Sequence, residues 1–275
     1  MEKTGRLVSL DLFRGLTIAA MIVVNNPGTW SHVYPMLRHA EWHGITFTDW
    51  IFPFFVFIVG ISITLSLSRR METGDNSTKL LLKIFRRSII LFLLGLIFYL
   101  FPHFKLETMR LPGVLQRIAV VYLVCAILFL KTSWHMQIAI TGFILLLYWF
   151  LMTVLPVPGV GPANLEPATN LAARLDVLLL KGHLWKPDSD PEGILSTLPA
   201  IGTGLLGMLT GHWLRRKMED SVRTVWMFVF GIAGIALGSI WGWFFPINKN
   251  LWTSSYVIYT AGIALLVLAA AYWLV

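Results

Sequence analysis

Eight apolar runs organise this chain, at about 10–27, 47–68, 85–102, 111–130, 134–155, 193–214, 223–245 and 250–275. Each is near the length that crosses ~30 Å of hydrocarbon at ~1.5 Å per helical residue. Backbone donors and acceptors in lipid must be satisfied within their own segment, so the runs read as helices. Short segments of alternating hydrophobicity, the mark of a transmembrane barrel, do not occur. The expected fold class is all-α: a polytopic integral membrane helix bundle of about eight transmembrane helices, forming a single transmembrane domain over 1–275. No internal repeat is strong enough to argue for an inverted-repeat transporter.

The connections between the runs give the orientation. Alternate connections carry Lys3, Arg6, Arg69, Arg70, Lys79, Lys83, Arg86, Arg87, Lys131, Arg215, Arg216, Lys217 and Arg223, thirteen basic residues in all. The others carry seven: Arg38, Lys105, Arg110, Arg174, Lys181, Lys186 and Lys249. The positive-inside rule then expects a cytoplasmic N-terminus and an extracytoplasmic loop at 156–192. That loop holds Asp176, Asp188, Asp190 and Glu192 amid Pro and Gly. It is too long for a passive turn and reads as a lid or rim over a site, the plainer alternative being a floppy surface loop.

Composition agrees. The chain is 56% hydrophobic and 13% charged, against roughly a quarter charged in soluble domains. A net charge of +8 would suggest nucleic acid in a soluble protein. Here the charge flanks apolar runs, so the expected partner is the lipid bilayer, with no nucleic acid. Cys125 lies alone in an apolar run and gives no disulfide. The first run ends in Asn25-Asn26-Pro27-Gly28 without a small-x-small cleavage site, so it reads as a span rather than a signal peptide. The last run reaches Val275 without a polar cap, which is expected of a piece of a longer protein.

The connection after the first run is rich in groups that move protons, His32, His39, Glu41, His43 and Asp49, with Trp42 among them. A neutral imidazole accepts a proton from an amine or hydroxyl, or carries an acyl group. The plainer reading is an interfacial loop of hydrogen-bonding His with an anchoring Trp. A metal held by His39, His43 and a carboxylate matches no recognised zinc spacing, and no metal is expected. Asn25 and Asn26 either stop a helix or orient a His and donate to an oxyanion. Asp49, three residues after Thr46, either caps the second helix or orients a nearby His. Asp11 and Arg14 can pair on one helix face. Arg117, beside Gln116 inside the fourth run, is a site candidate because an intramembrane Arg is costly. The polar stretch Pro246 to Ser255 is a Pro turn with a Trp belt or a second wall of the same site.

Six motifs in order carry a resemblance: Ser9-Leu10-Asp11-Leu12-Phe13-Arg14-Gly15, Val24-Asn25, His39-Ala40-Glu41-Trp42-His43-Gly44 leading to Asp49, Leu111 to Ala119, Asp190 to Ser196, and Pro246 to Ser255. Together they resemble the heparan-alpha-glucosaminide N-acetyltransferase family, most closely its bacterial NagX-type members. The resemblance implies an integral protein of a bacterial inner (cytoplasmic) membrane that moves an acetyl group from cytoplasmic acetyl-CoA to an amino-sugar acceptor on the far side. It implies a catalytic His39 acting with Asn25, to which Asp49 is added as the orienting acid. Arg14, Arg86, Arg87 and Arg117 are the candidates for acetyl-CoA. Trp42, His43, Glu192, Lys249, Asn250 and Trp252 are the candidates for the acceptor. Family members usually have further helices after the last span, which again suits a longer protein. A sugar transporter or permease and an O-acyltransferase of an envelope glycan stay open as rivals, as does a homodimer.

Overall fold

The structure, a computed structural model, describes residues 7–101 and 104–275. Lys3 and Arg6 of the basic count lie outside the described residues. Among the described residues there are nine α-helices and no strand. They are α1 Val8–Asn25, α2 Thr48–Glu72, α3 Ser77–Leu100, α4 Val114–Lys131, α5 Trp134–Val154, α6 Leu171–Leu180, α7 Ile194–Leu214, α8 Asp220–Gly242 and α9 Ser254–Leu274. Seven, all but α3 and α6, are long and apolar enough to cross a membrane. The chain is an integral membrane helix bundle.

The eighth expected span is α3, which differs from the expectation in a physical way. Asn76 accepts a hydrogen bond from the Thr78 N–H at 2.9 Å and starts the helix well before residue 85. Its early turns therefore carry Lys79, Lys83, Arg86 and Arg87, and the charge keeps it out of the apolar set. It still runs antiparallel to α4 along its length. Ser88 Oγ donates to the Ala119 carbonyl at 2.8 Å, and Tyr99 lies against Gly113. Helix α6 is the other departure: a short helix inside the 156–192 segment.

The α2–α7 pair is the hub, with α1, α4 and α9 also on α2, and α4, α5, α6 and α9 also on α7. Lipid offers little hydrophobic drive between helices, so close van der Waals approach must hold them. Glycines permit it. A Cβ at Gly60 would fall 2.0 Å from the Gly204 carbonyl oxygen, and one at Gly207 would fall 2.1 Å from that of Phe57. Large apolar side chains such as Leu82, Phe98, Phe143, Leu146, Ile232 and Leu237 are exposed, as lipid-facing positions are.

One proline ties α9 to the start of α2. Pro53 has no N–H, so the Asp49 carbonyl four residues earlier loses its helical donor. The buried Tyr256 hydroxyl on α9 supplies one instead, at 2.6 Å. Tyr256→Phe keeps the ring against Trp252 but strands that carbonyl. It should cost ~1–3 kcal/mol and lower the melting temperature in detergent, followed by tryptophan fluorescence; an unchanged melting temperature would show that the carbonyl finds another donor.

Candidate active site

At the end of the bundle where α1 stops and α2 begins, a pocket of about 560 Å³ opens, within the usual range for small-molecule sites. Its walls come from the C-terminal end of α1, the 26–47 connection, the start of α2, the 156–192 segment and the α8–α9 connection.

Asp49 organises one wall. It sits in the first turn of α2, where a carboxylate suits the helix dipole, and it is 1% exposed. Its Oδ2 accepts the backbone N–H of Ala40 at 3.1 Å and of Thr46 at 3.0 Å. Its Oδ1 lies 2.6 Å from His39 Nδ1. A carboxylate only accepts, so Nδ1 carries the hydrogen and Nε2 is left as the base. The two sequence readings of Asp49 are therefore compatible, since one side chain both ties down the Thr46 turn and orients a histidine. The His39 side chain is 54% exposed and lines the pocket.

The α8–α9 connection supplies the adjoining wall. Its own polar residues and Tyr148 of α5 satisfy its buried backbone. Asn248 Oδ1 accepts the Leu251 N–H at 2.9 Å, Thr253 Oγ accepts the Asn248 N–H at 3.0 Å, and the Leu251 carbonyl accepts the Tyr148 hydroxyl at 2.5 Å. Trp252 takes a left-handed conformation (φ 52°), which a bulky residue adopts only when its surroundings enforce it. This frame presents Lys249. Its Nζ lies 3.0 Å from His39 Nδ1, 3.2 Å from His39 Nε2 and 3.8 Å from Asp49 Oδ1. Burial pulls the Lys249 ammonium below the usual lysine range, and the Asp49 and Glu192 carboxylates offset part of that.

A further wall is acidic. Arg110 donates to Asp190 through Nε at 2.8 Å and Nη2 at 2.5 Å, and to Glu192 through Nη2. Its guanidinium packs on the Tyr99 and Trp185 rings. Two carboxylates beside it raise its pKa despite burial. Behind them Asp176, on α6, accepts the Ile194 N–H at 2.8 Å and so caps α7. The fit needs Gly193, since a Cβ there would lie 1.8 Å from Asp176 Oδ2. Burial pushes the Asp176 carboxyl up to about 6.

The predicted residues divide by place. His39, Asn25, Trp42, Glu192, Lys249 and Asn250 all line the pocket, and Asp49 backs it. Asn26 donates to the Ile22 carbonyl at 2.8 Å as a helix end does, while Asn25 lines the pocket. Trp42 Nε1 donates to the Leu165 carbonyl at 2.9 Å, which fixes its ring. His43 instead meets Asn248 Nδ2 at 3.3 Å, and Trp252 is buried beneath the wall, its Nε1 on Thr203 Oγ at 3.1 Å. The four arginines expected to share a ligand do not come together. Arg14 pairs with Asp11 at 2.7 Å on α1. Arg86 and Arg87 are exposed on α3, with Arg87 over the Tyr122 ring of α4. Arg117 is buried near the opposite, pocket end, donating to Ser196 Oγ at 2.5 Å and stacked on Trp252. Sequence reasoning missed the Arg110–Asp190–Glu192 group as a unit. Its members lie 80 and 82 positions apart, and the only signal was acid-rich 176–192 facing a basic residue just before Leu111-Pro112-Gly113. Among the described residues no cluster of three metal-ligating side chains occurs.

Asp176 gives a pH signature. Its proton is held to about pH 6 in the folded protein against an ordinary 3.8, so this group's contribution to stability falls as pH rises from about 4 to about 6 and levels off above. Asp176→Asn keeps an acceptor for Ile194 N–H. It should flatten the difference in melting temperature between pH 5 and pH 7; an unaltered difference would remove Asp176 as its source.

Comparison with known proteins identifies the lineage. Residues 6–239 match the family model described as heparan-alpha-glucosaminide N-acetyltransferase, catalytic. The chain is 32% identical to the human heparan-alpha-glucosaminide N-acetyltransferase over 97% of its own length and 48% of that protein's. It is also 32% identical to the mouse heparan-alpha-glucosaminide N-acetyltransferase, over 98% of its length and 49% of that protein's. The chain thus spans about half the length of the curated relatives it matches, and it belongs to their family.

Proposed function

We propose that this family member is a transmembrane acetyltransferase that moves an acetyl group from acetyl-CoA, supplied on the cytoplasmic side, to an amino sugar of the glucosamine type at the extracytoplasmic face. The observation that carries the reading is the 2.6 Å contact between His39 Nδ1 and Asp49 Oδ1 at the edge of the pocket. It leaves His39 Nε2 as a base in a pocket of sugar-compatible size that is also lined by Glu41, Asp190 and Glu192.

The roles follow from the geometry. His39 Nε2 takes the proton of the acceptor amine as that nitrogen attacks the acetyl carbonyl, or takes the acetyl group itself before passing it on. Asp49 holds the tautomer and stabilises the imidazolium that forms. Asn25, which lines the same pocket, offers an amide N–H to the developing oxyanion. Glu41 and Glu192 line the pocket and attract a cationic amino sugar, while the fixed Trp42 ring covers an apolar sugar face.

Charge supports the sidedness. Among the described residues the end away from His39 carries Arg69, Arg70, Lys79, Lys83, Arg86, Arg87, Lys131, Arg215, Arg216, Lys217 and Arg223. The connections at the His39 end carry seven basic residues, and Arg110 among them is paired with two acids. By the positive-inside rule this asymmetry supports an extracytoplasmic pocket. The pocket wall reaches down between α1 and α2 to Met21 and Phe55, an apolar lining that suits the acyl-pantetheine end of the donor. Arg14 lies about 10 Å further along α1 at ~1.5 Å per residue, which makes it the better placed of the four arginines for the donor's phosphates.

Incubation of the purified protein in detergent with radiolabelled acetyl-CoA and glucosamine should give labelled N-acetylglucosamine. His39→Ala should abolish the label while CoA binding persists, and labelled product without His39 would remove it from the mechanism. Asp49→Asn should slow transfer on the order of 10²–10⁴-fold, since the amide permits the wrong imidazole tautomer; a rate within a few-fold of the parent would reduce Asp49 to a structural cap.

A further inference from the structure

The pocket contains an amine of its own. Lys249 Nζ stands 3.2 Å from His39 Nε2, and an acceptor amine giving its proton to that nitrogen must come within ~2.6–3.2 Å of it. The lysine is not a loose surface side chain, since it is 17% exposed. Its backbone is locked, with the Lys249 carbonyl accepting the Trp252 N–H at 3.0 Å inside the left-handed turn. Its long stem ends where the acceptor nitrogen has to be.

We propose that Lys249 Nζ is a built-in stand-in for the acceptor amine, and that with acetyl-CoA present and amino sugar absent the site acetylates Lys249. The inference rests on the acetyl-transfer reading above. The step balances without an oxidant or reductant. The neutral amine forms the Nζ–C bond to the acetyl carbonyl carbon, the thioester C–S bond breaks, and its electron pair leaves on the CoA sulfur. The proton lost from Nζ passes to His39 Nε2. Burial favours the neutral amine that the step needs, and Arg117 pushes the same way, while Asp49 and Glu192 favour the ammonium and slow the reaction. The product is an uncharged amide lodged at the acceptor position, so the site would switch itself off when donor outruns acceptor. An amino sugar that displaces Nζ would protect it.

The full chain in detergent is incubated with acetyl-CoA at mildly alkaline pH, with and without glucosamine, and its peptides are read by mass spectrometry. Lys105 and Lys181, exposed lysines of the same end, report purely chemical acetylation. Lys249 should be acetylated faster than either on the order of tenfold or more, through its positioning. Glucosamine should slow it, and a monodisperse His39→Ala variant should bring it down to the level of Lys105 and Lys181. Acetylated glucosamine beside unmodified Lys249 would overturn this proposal and leave the transferase reading intact. So would Lys249 labelling no faster than the control lysines or unchanged in His39→Ala. Label on Lys249 but not on glucosamine would support it and overturn the choice of acceptor. Label on neither would overturn both.

Discussion

One buried carboxylate fixes the arrangement of the pocket end of this bundle. A charged oxygen out of water is costly unless donors surround it, and Asp49 draws its donors from several parts of the chain. His39, Ala40 and Thr46 come to it from the first connection. Lys249, from the α8–α9 connection, brings its Nζ to 3.8 Å from Asp49 Oδ1. Its own backbone carbonyl, left without a helical donor by Pro53, takes the Tyr256 hydroxyl of α9. An altered path for either connection would leave a buried charge or carbonyl unmet. The same requirement that folds this region therefore sets the tautomer and aim of His39.

The second carboxylate system is built on a different economy. Asp190 and Glu192 share one guanidinium, and Asp176 spends an oxygen on the first free N–H of α7. Between them they make the 156–192 segment a packed wall rather than a trailing loop, and short α6 is part of it. Arg117 lies behind that wall, buried, with Ser196 Oγ and the Gly193 carbonyl as partners and Trp252 beneath it. It is a cation set among acids, and its charge offsets part of the repulsion between the carboxylates gathered at that rim.

Much of the candidate site was legible in the sequence because it is short-range. His39 and Asp49 are ten positions apart, and the Thr46–Asp49 spacing announces a helix start. The polar Pro246 to Ser255 stretch was legible as an anomaly, since so many hydrogen-bonding groups beside a span must be satisfied somewhere. Long-range pairings were not legible: Arg110 with Asp190 and Glu192, Trp42 with Leu165, Tyr256 with Asp49. The arginines were legible as charges but not as positions, because charge alone does not say which helix face or which end of the bundle a residue occupies.

The sequence by itself determined the helices, their number to within one, and the charge asymmetry of their connections. These rest on the cost of unsatisfied backbone and of charge in lipid, which acts on each segment separately. Which helices touch, and therefore which side chains meet at the pocket, was decided only by tertiary packing. Glycine contacts such as Gly60 against Gly204 bring α2 and α7 within backbone distance, and lipid gives an apolar helix face little other reason to choose one neighbour over another.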